Sequence, residues 1–177
     1  MKELIRKLLI EIGENPEREG IIDTPKRVSK AWKELTTPVK FDFNTFDANG
    51  YSQMIIVKDI NYYTFCEHHL LPFFGKVSVG YIPIKKIVGI SKIPRTIEYF
   101  SKRLNTQEYF TDNIAHFIND NLEPFGVGVV VSGRHMCQEM RGVQKKGNTV
   151  TSCLLGNFMN EPTVRKEFYD NVYRSHN

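Results

Sequence analysis

Residues 76–83 read KVSVGYIP, and this stretch decides the fold class. Val77, Val79 and Tyr81 alternate with polar or small residues, which is the period-two pattern of a β-strand with one buried face. A short apolar run at residues 54–60 predicts a second strand just upstream. From residue 51 onward the pattern is therefore one of strands.

Helices and further strands follow this pair. The apolar spacing at residues 93–104 and 111–122 predicts two helices, and residues 126–132 and 149–158 predict two more strands. Residues 163–173 predict a closing helix. The order of strand pair, helix pair, strand pair indicates an α+β fold with an antiparallel sheet.

The N-terminal part has a helical pattern instead. Residues 1–12 carry an apolar face, and residues 24–35 begin with Thr-Pro, a pairing typical of a helix start. Residues 37–50 show little periodicity and predict a linker. We therefore expect a helical segment at residues 1–48 and one larger structural unit at residues 49–177.

Composition sets the broad class of the protein. The 177 residues suffice for one well-buried core, and 41% hydrophobic with 25% charged residues is typical of a globular chain. The sequence has no apolar run of about 20 residues and no signal-peptide pattern, so we expect a cytoplasmic protein without a membrane partner. A net charge of +4 suits an anionic ligand but is weak evidence for nucleic acid, which we do not expect as a partner.

Two clusters of cysteine and histidine point to a metal. Cys66, His68 and His69 stand together between strand-like runs, and a Cys-x-x-His spacing lets one turn present both ligand types. Later in the chain, His135 and Cys137 follow a predicted strand, where residues two apart share a face. Cys66, His69 and Cys137 form a plausible ligand set for zinc. Three protein ligands leave a position for water, as in catalytic zinc sites.

Other interpretations of these residues stay open. A single Cys-x-x-His turn is weak evidence for a metal, and Cys66 could instead pair with Cys137 in a disulfide, although a cytosolic location argues against this. Cys153 lies in a predicted strand among apolar residues and is expected to be buried. His116, on an apolar helix face, is expected in the core or at its boundary.

Two further groups have both a functional and an ordinary interpretation. Ser91, Lys92 and Arg95 stand at a predicted helix start, which suits a phosphate site and equally an exposed basic turn. Gln107 and Glu108 begin the next helix, where an acidic residue also stabilises the helix dipole.

Taken together, these motifs resemble the GTP cyclohydrolase I family. The matching stretches run in family order over nearly the whole chain: GENPEREG, TPKR, CEHHLLPFFGKVSVGYIP, GISKIPR, RLNTQE, GVGVVVSGRHMCQEMRGV, TVTSCLLGNF and RKEF. The pairing of CEHH with HMC and MRG is highly specific. Departures are small: Asn105 stands where glutamine is usual, and Arg134 and Gln138 flank the second cluster unusually.

The resemblance implies a role for each site residue. It implies Zn²⁺ bound by Cys66, His69 and Cys137, and acid–base roles for His68 and His135. It also implies a substrate site in which Glu108, with Gln107 beside it, holds guanine. The residues that it implies for the triphosphate are Ser91, Lys92, Arg95, Arg141 and Arg27.

The resemblance also implies a fold, an assembly and a reaction. The fold is the tunnelling fold, an antiparallel sheet with helices on one face whose sheets join between subunits into a barrel. The assembly is a homodecamer with active sites between subunits. The reaction converts GTP to 7,8-dihydroneopterin triphosphate with release of formate. The rivals are another tunnelling-fold pterin or deazapurine enzyme and a structural zinc-binding module.

Overall fold

The structure is a computed structural model that describes residues 1–174. It divides into two compact units, Met1–Thr37 and a second unit that begins at Pro38. The first unit contains α1, Lys2–Glu11, and α2, Thr24–Leu35. The two helices pack against each other, with Leu9 buried. Both N-terminal helices therefore lie where the sequence predicts them.

Within the part of the chain that the structure describes, the strands all lie in the second unit. They are β1 Thr45–Asp47, β2 Ile55–Cys66, β3 Pro72–Ile82, β4 Lys86–Val88, β5 Leu104–Asn105, β6 Gly126–His135 and β7 Thr149–Gly156. A five-stranded sheet has the order β5-β2-β3-β6-β7, and all its pairings are antiparallel except that of β5 with β2. The short strands β1 and β4 form a separate antiparallel pair, so the predicted linker at residues 37–50 contains a strand.

The described residues of this unit also form the helices α3 Lys92–Ser101, α4 Gln107–Leu122, α5 Met136–Glu139, α6 Asn157–Asn160 and α7 Pro162–Tyr173. Helix α3 packs on β2, and α4 packs on β6 and β7. The main core therefore lies between these helices and one face of the sheet, where Val77, Val79 and Tyr81 are buried as their alternation predicts. The predicted α+β class is confirmed.

Phenylalanine rings cover part of the opposite face of the sheet. Gly80 pairs with Gly128 across β3 and β6, and a Cβ at Gly128 would lie 2.5 Å from Phe158 and 2.8 Å from Phe168. Without side chains, the two glycines let α6 and α7 approach the backbone closely. Helices α6 and α7 therefore lie on the face of the sheet opposite α3 and α4. The resemblance implied helices on one face only, and α3 and α4 occupy that face.

Two strands extend beyond their predicted ends. Strand β2 continues to Cys66 and β6 continues to His135, because pairing with β3 persists as far as Phe65↔Pro72 and Phe73↔His135. The extensions place both cysteine–histidine clusters at the same end of the sheet. Within residues 1–174, no helix combines the length and apolar character needed to cross a bilayer.

Candidate metal and catalytic site

A tight loop between β2 and β3 presents the first cluster. The backbone N–H of Leu70 donates to the Cys66 carbonyl at 2.9 Å, and the Cys66 N–H donates to the Leu71 carbonyl at 2.9 Å. Leu70 has φ of 55°, a left-handed conformation that a branched side chain rarely adopts. This turn brings the Nδ1 atoms of His68 and His69 to 3.8 and 3.7 Å from the Cys66 sulfur.

Cys137 of the second cluster reaches the first cluster from a helical turn and not from a strand. Strand β6 ends at His135, and Cys137 lies in the first turn of α5. The expectation that His135 and Cys137 share a strand face is therefore wrong, because the pairing of β3 with β6 ends at Phe73↔His135 and α5 begins at the next residue, Met136. The helical turn nevertheless places the Cys137 sulfur with Cys66 and His69, and the three ligand atoms all lie within 4.8 Å of one another.

The electrostatics of this trio suit a cation. Burial raises the pKa of the Cys137 thiol, and the neighbouring Cys66 raises it further, while Arg141 acts in the opposite direction. Two thiolates so close together would repel each other, and a dication relieves that repulsion. Both cysteines are free thiols. The Arg141 guanidinium also reaches the trio, donating to His69 Nε2 at 3.1 Å.

His135 is held by contacts that determine its tautomer. Its ring stacks on Phe73 with centroids 4.5 Å apart, and its Nε2 lies 2.8 Å from Gln107 Oε1. The amide nitrogen of Gln107 donates to the carbonyls of Val131 at 3.1 Å and Thr149 at 2.9 Å. Because carbonyls only accept, Oε1 of Gln107 must be the acceptor toward His135. Nε2 of His135 therefore carries a proton, and Nδ1 is left to exchange one.

Burial also lowers the pKa of His135, and the Glu108 carboxylate partly opposes this shift. Desolvation disfavours the imidazolium, so the neutral ring with its proton on Nε2 is favoured near neutral pH. The Glu108 carboxylate is therefore close enough to His135 to influence its protonation.

Glu108 lies in the first turn of α4, at the edge of a cavity of about 450 Å³. The cavity is lined by Glu108, Tyr109, Thr111, Asp112, Thr151, Ser152 and Cys153. Thr151 connects this cavity to the histidine, because its hydroxyl lies 3.2 Å from the Gln107 amide nitrogen. Gln107 itself is buried, and its amide is already engaged by protein groups.

The remaining predicted residues lie elsewhere. Ser91 and Lys92 stand at the start of α3, and the Ser91 side chain makes no cap hydrogen bond. Arg95 lines a small cavity of about 50 Å³ that contains none of the trio. Arg27 is on α2 in the N-terminal unit, where it pairs with Asp23 at 3.5 Å. Within the second unit, the structure thus gathers Cys66, His68, His69, Cys137 and Arg141. Among the described residues, no hydrogen bond or ion pair joins Ser91, Lys92 or Arg95 to this group.

Comparison with known proteins gives this arrangement a family. The family model described as GTP cyclohydrolase I matches residues 1–173. The chain belongs to the GTP cyclohydrolase I family. It is 50% identical to GTP cyclohydrolase 1 of Leptospira biflexa over 96% of both chains, and 49% identical to that of Aquifex aeolicus over 95% of this chain and 92% of the relative.

Membership in the GTP cyclohydrolase I family confirms several predictions. The resemblance seen in the sequence, the tunnelling fold and the assignment to the first step of pterin and folate biosynthesis are all borne out. Among solved structures, the apo form of the archaeosine synthase QueF-Like overlaps 56% of this chain and 91% of that chain. Its 16% identity and TM-score of 0.42 are too weak to bear on fold or function.

Some residues around this candidate site were not predicted from the sequence. Arg134 donates to Glu139 at 2.9 Å and braces α5, which carries Cys137. Asn105, noted as a departure from the family, donates to Thr64 and to the Phe100 carbonyl, each at 2.9 Å, beneath the loop that presents Cys66. The departure from glutamine at position 105 was the signal that the sequence offered, but its partner Thr64 lies on a distant strand.

The absence of a side chain at Gly133 leaves room for the side chain of Gln107. We expect Gly133→Ala to displace that side chain. The new Cβ would lie 2.6 Å from Gln107 Oε1, and closer still to the Tyr62 hydroxyl. Overpacking of this kind costs about 1–3 kcal/mol, and each kcal/mol lowers Tm by about 2–4 °C in a chain of this size. We expect a lower Tm together with a lower kcat, because the bond that orients His135 weakens.

Gly147→Ala is the matched control for this substitution, since its Cβ would meet only Gln138, at an ordinary 3.6 Å. Thermal unfolding and steady-state kinetics on both variants provide the measurement. A Gly133→Ala protein with the Tm and kcat of the Gly147→Ala protein would show that Gln107 tolerates displacement.

Proposed function

We propose that the chain hydrolyses GTP at C8 of guanine and rearranges it to 7,8-dihydroneopterin triphosphate, releasing formate, with Zn²⁺ bound by Cys66, His69 and Cys137. The observation that carries the proposal is the convergence of these three ligand atoms within 4.8 Å, in a chain of the GTP cyclohydrolase I family. Over the whole reaction, two waters add during ring opening and formate release, and one is lost when the pterin ring closes.

The donor set fits zinc better than a harder cation. Two thiolates and an imidazole are typical zinc ligands, whereas Mg²⁺ and Ca²⁺ prefer oxygen. When bound, zinc would supply a water that ionises at about pH 7. Arg141, which touches His69, would then turn to the substrate phosphates.

His135 moves a proton at Nδ1, the nitrogen that Gln107 leaves free. Protonation of N7 makes C8 of guanine more electrophilic, and a histidine suits this exchange near neutral pH. Gln107 contributes by holding the ring through Nε2 rather than by a side-chain contact with guanine. His68, which is exposed beside Cys66, moves protons of the opened ribose during the rearrangement.

Glu108 holds guanine in the adjoining cavity. The volume of about 450 Å³ lies within the usual range for small-molecule sites. An ionised carboxylate accepts from both the N1–H and the exocyclic amino group of guanine. Adenine would instead direct the N1 lone pair toward the carboxylate.

The triphosphate is held by cations and a hydroxyl: Ser91, Lys92, Arg95, Arg141 and Arg27. Ser91 and Lys92 offer the N-terminus of α3, a natural phosphate position. Because Ser91, Lys92 and Arg95 do not gather around the trio within one chain, we propose that neighbouring subunits complete each site. This agrees with active sites between subunits of a homodecamer.

An unpaired sheet edge supports this assembly. Among residues 1–174, strand β7 pairs only with β6, and Val150 on β7 is exposed. Such an edge favours pairing with another chain. We also propose a cytoplasmic location, because free thiols are typical of that compartment.

One experiment tests both reaction and assembly. Zinc-loaded protein is separated by size-exclusion chromatography, and each fraction is assayed for formate release from GTP and from ATP. We expect formate from GTP alone, and only in fractions of a large oligomer. Zinc-bound protein that releases no formate would overturn the reaction, and formate release that follows a monomer would overturn the assembly.

A further inference from the structure

The helix that carries Cys137 is too short to be stable by itself. It spans only Met136–Glu139, and a helix of one turn closes too few backbone hydrogen bonds to offset the cost of its nucleation. None of its four residues, all of which the structure describes, is fully buried. Cys137 itself packs at the edge of the main core and is only partly buried. The position of Cys137 therefore depends on the contacts that fix α5.

The other two candidate ligands are fixed by the backbone. Cys66 is the last residue of β2 and is 7% exposed, and its N–H and its carbonyl both form backbone hydrogen bonds within the tight turn. His69 lies inside that turn. Of the three ligands, Cys137 is thus the one whose place is determined by side-chain contacts of its helix.

A bidentate ion pair supplies the main contact of this kind. Arg134 Nε donates to Glu139 Oε1 at 2.9 Å, and Arg134 Nη2 donates to Glu139 Oε2. A fork that engages both carboxylate oxygens fixes orientation as well as distance. The Glu139 side chain is 12% exposed, so water and salt screen this pair less than an open surface pair. Because Arg134 is on β6 and Glu139 ends α5, the pair closes a loop that contains Cys137.

The sheet holds the arginine in place for this pair. Arg134 lies opposite Phe74 in the register of β6 with β3, and its guanidinium lies 5.8 Å from the centre of the Phe74 ring. Phe74 in turn stacks on Tyr63 of β2, with ring centroids 5.8 Å apart. A guanidinium that already rests on an aromatic face loses less freedom when it binds a carboxylate. Two strands therefore support the arginine that holds α5.

A second contact ties α5 to the loop that follows it. The Gln138 amide nitrogen donates to the Lys145 carbonyl at 3.3 Å. Arg134 and Gln138 are also the two residues that flank the second cluster unusually for the GTP cyclohydrolase I family. Both unusual residues thus make contacts that hold the same short helix.

We propose that Arg134, acting through Glu139, is a positioning residue for Cys137 and sets the affinity of the metal site. The ion pair holds α5 where the Cys137 sulfur meets Cys66 and His69, so metal binding does not have to order the helix. This inference rests on the zinc site of the proposed function. In the alternative, the ion pair stabilises only the fold, and metal affinity does not depend on it.

The first test measures zinc affinity in the intact, assembled protein by competition with a chromophoric chelator. We expect Arg134→Gln and Glu139→Gln each to bind Zn²⁺ about tenfold to a hundredfold more weakly than wild type, the scale on which supporting contacts act at metal sites. The double variant should bind no more weakly than either single variant, because both changes break the same contact. Asp59→Asn is the matched control, since it breaks an exposed 3.5 Å ion pair with Lys76 on the same sheet.

The control should bind zinc as wild type does. Equal affinity in all of these proteins would overturn the inference. Failure of wild type itself to bind zinc would refute the metal site of the proposed function, and the inference with it.

A second measurement separates positioning from a general loss of stability. Co²⁺ serves as a probe, because its charge-transfer absorption with thiolates reports on the cysteine ligands, and Tm is measured on the metal-free proteins. We expect Arg134→Gln to reach the wild-type absorption only at a tenfold or higher Co²⁺ concentration. Arg134→Lys, which keeps the charge without the fork, should lie between them. Affinities that follow the metal-free Tm across all variants, Asp59→Asn included, would contradict a positioning role. Neither readout depends on catalysis.

Discussion

Cys66→Ala and Cys137→Ala should each lose tightly bound zinc and nearly all formate release from GTP. Each substitution removes one of three ligands, and the remaining pair lacks both the charge and the geometry of the site. Loss of an ionisable water costs several kcal/mol of transition-state stabilisation. Since about 1.4 kcal/mol corresponds to tenfold in rate, we expect kcat/KM to fall by about 10³-fold or more.

The measurement pairs elemental analysis after dialysis against zinc-free buffer with steady-state kinetics. His68→Ala is the informative control, because His68 lies beside Cys66 without belonging to the trio. It should keep zinc while losing activity, which separates a ligand from an acid–base residue. Full zinc retention in both cysteine variants would remove Cys66 and Cys137 from the ligand set.

Glu108→Ala should keep zinc and the oligomer but lose most turnover of GTP. The carboxylate matches two adjacent donors on guanine, and a site of this kind discriminates by roughly 10⁴–10⁵ against an analogue that lacks the matching groups. We expect a fall in kcat/KM approaching this scale. Glu108→Gln should lose less, because the amide keeps one acceptor while its NH₂ opposes a guanine donor.

The competing role for Glu108 is stabilisation of the α4 dipole, worth about 0.3–1 kcal/mol. Glu3→Ala in the first turn of α1 is the matched control for that role. If Glu108 serves only the helix, both variants should show a similar small loss of stability and near-normal kinetics. A kcat/KM for Glu108→Ala within a few-fold of wild type would exclude the carboxylate from the guanine site.

Local patterns in the sequence were sufficient for the longer helices and strands and for the pairing of Cys66 with His69 in one turn. The alternation in residues 76–83 predicted β3 because every second side chain of a strand faces the same side. The Cys-x-x-His spacing predicted that Cys66 and His69 share a turn, because four residues suffice to close one. Both signals can be recognised in the sequence because each comes from residues that are close together in the chain.

Contacts between distant segments could not be predicted in the same way. Gln107 was expected beside Glu108 at guanine, yet its amide holds His135 and two strand carbonyls, because α4 starts directly over β6 and β7. His116, expected in or near the core, is exposed beside Asp112. Its exposure depends on how α4 lies across β6 and β7, which local spacing does not encode.

The sequence by itself determined the longer helices and strands, though not the short elements β1, β4, β5, α5 and α6. It also determined which side chains could ligate a metal and which family the chain resembles. Only the tertiary structure decided that Cys137 reaches Cys66 from a helical turn and that Nδ1 of His135 is the free nitrogen. The physical reason is the separation along the chain between the residues that interact. Backbone periodicity arises from residues within one turn or one pleat, whereas the meeting of distant side chains depends on strand register and on where helices pack across the sheet.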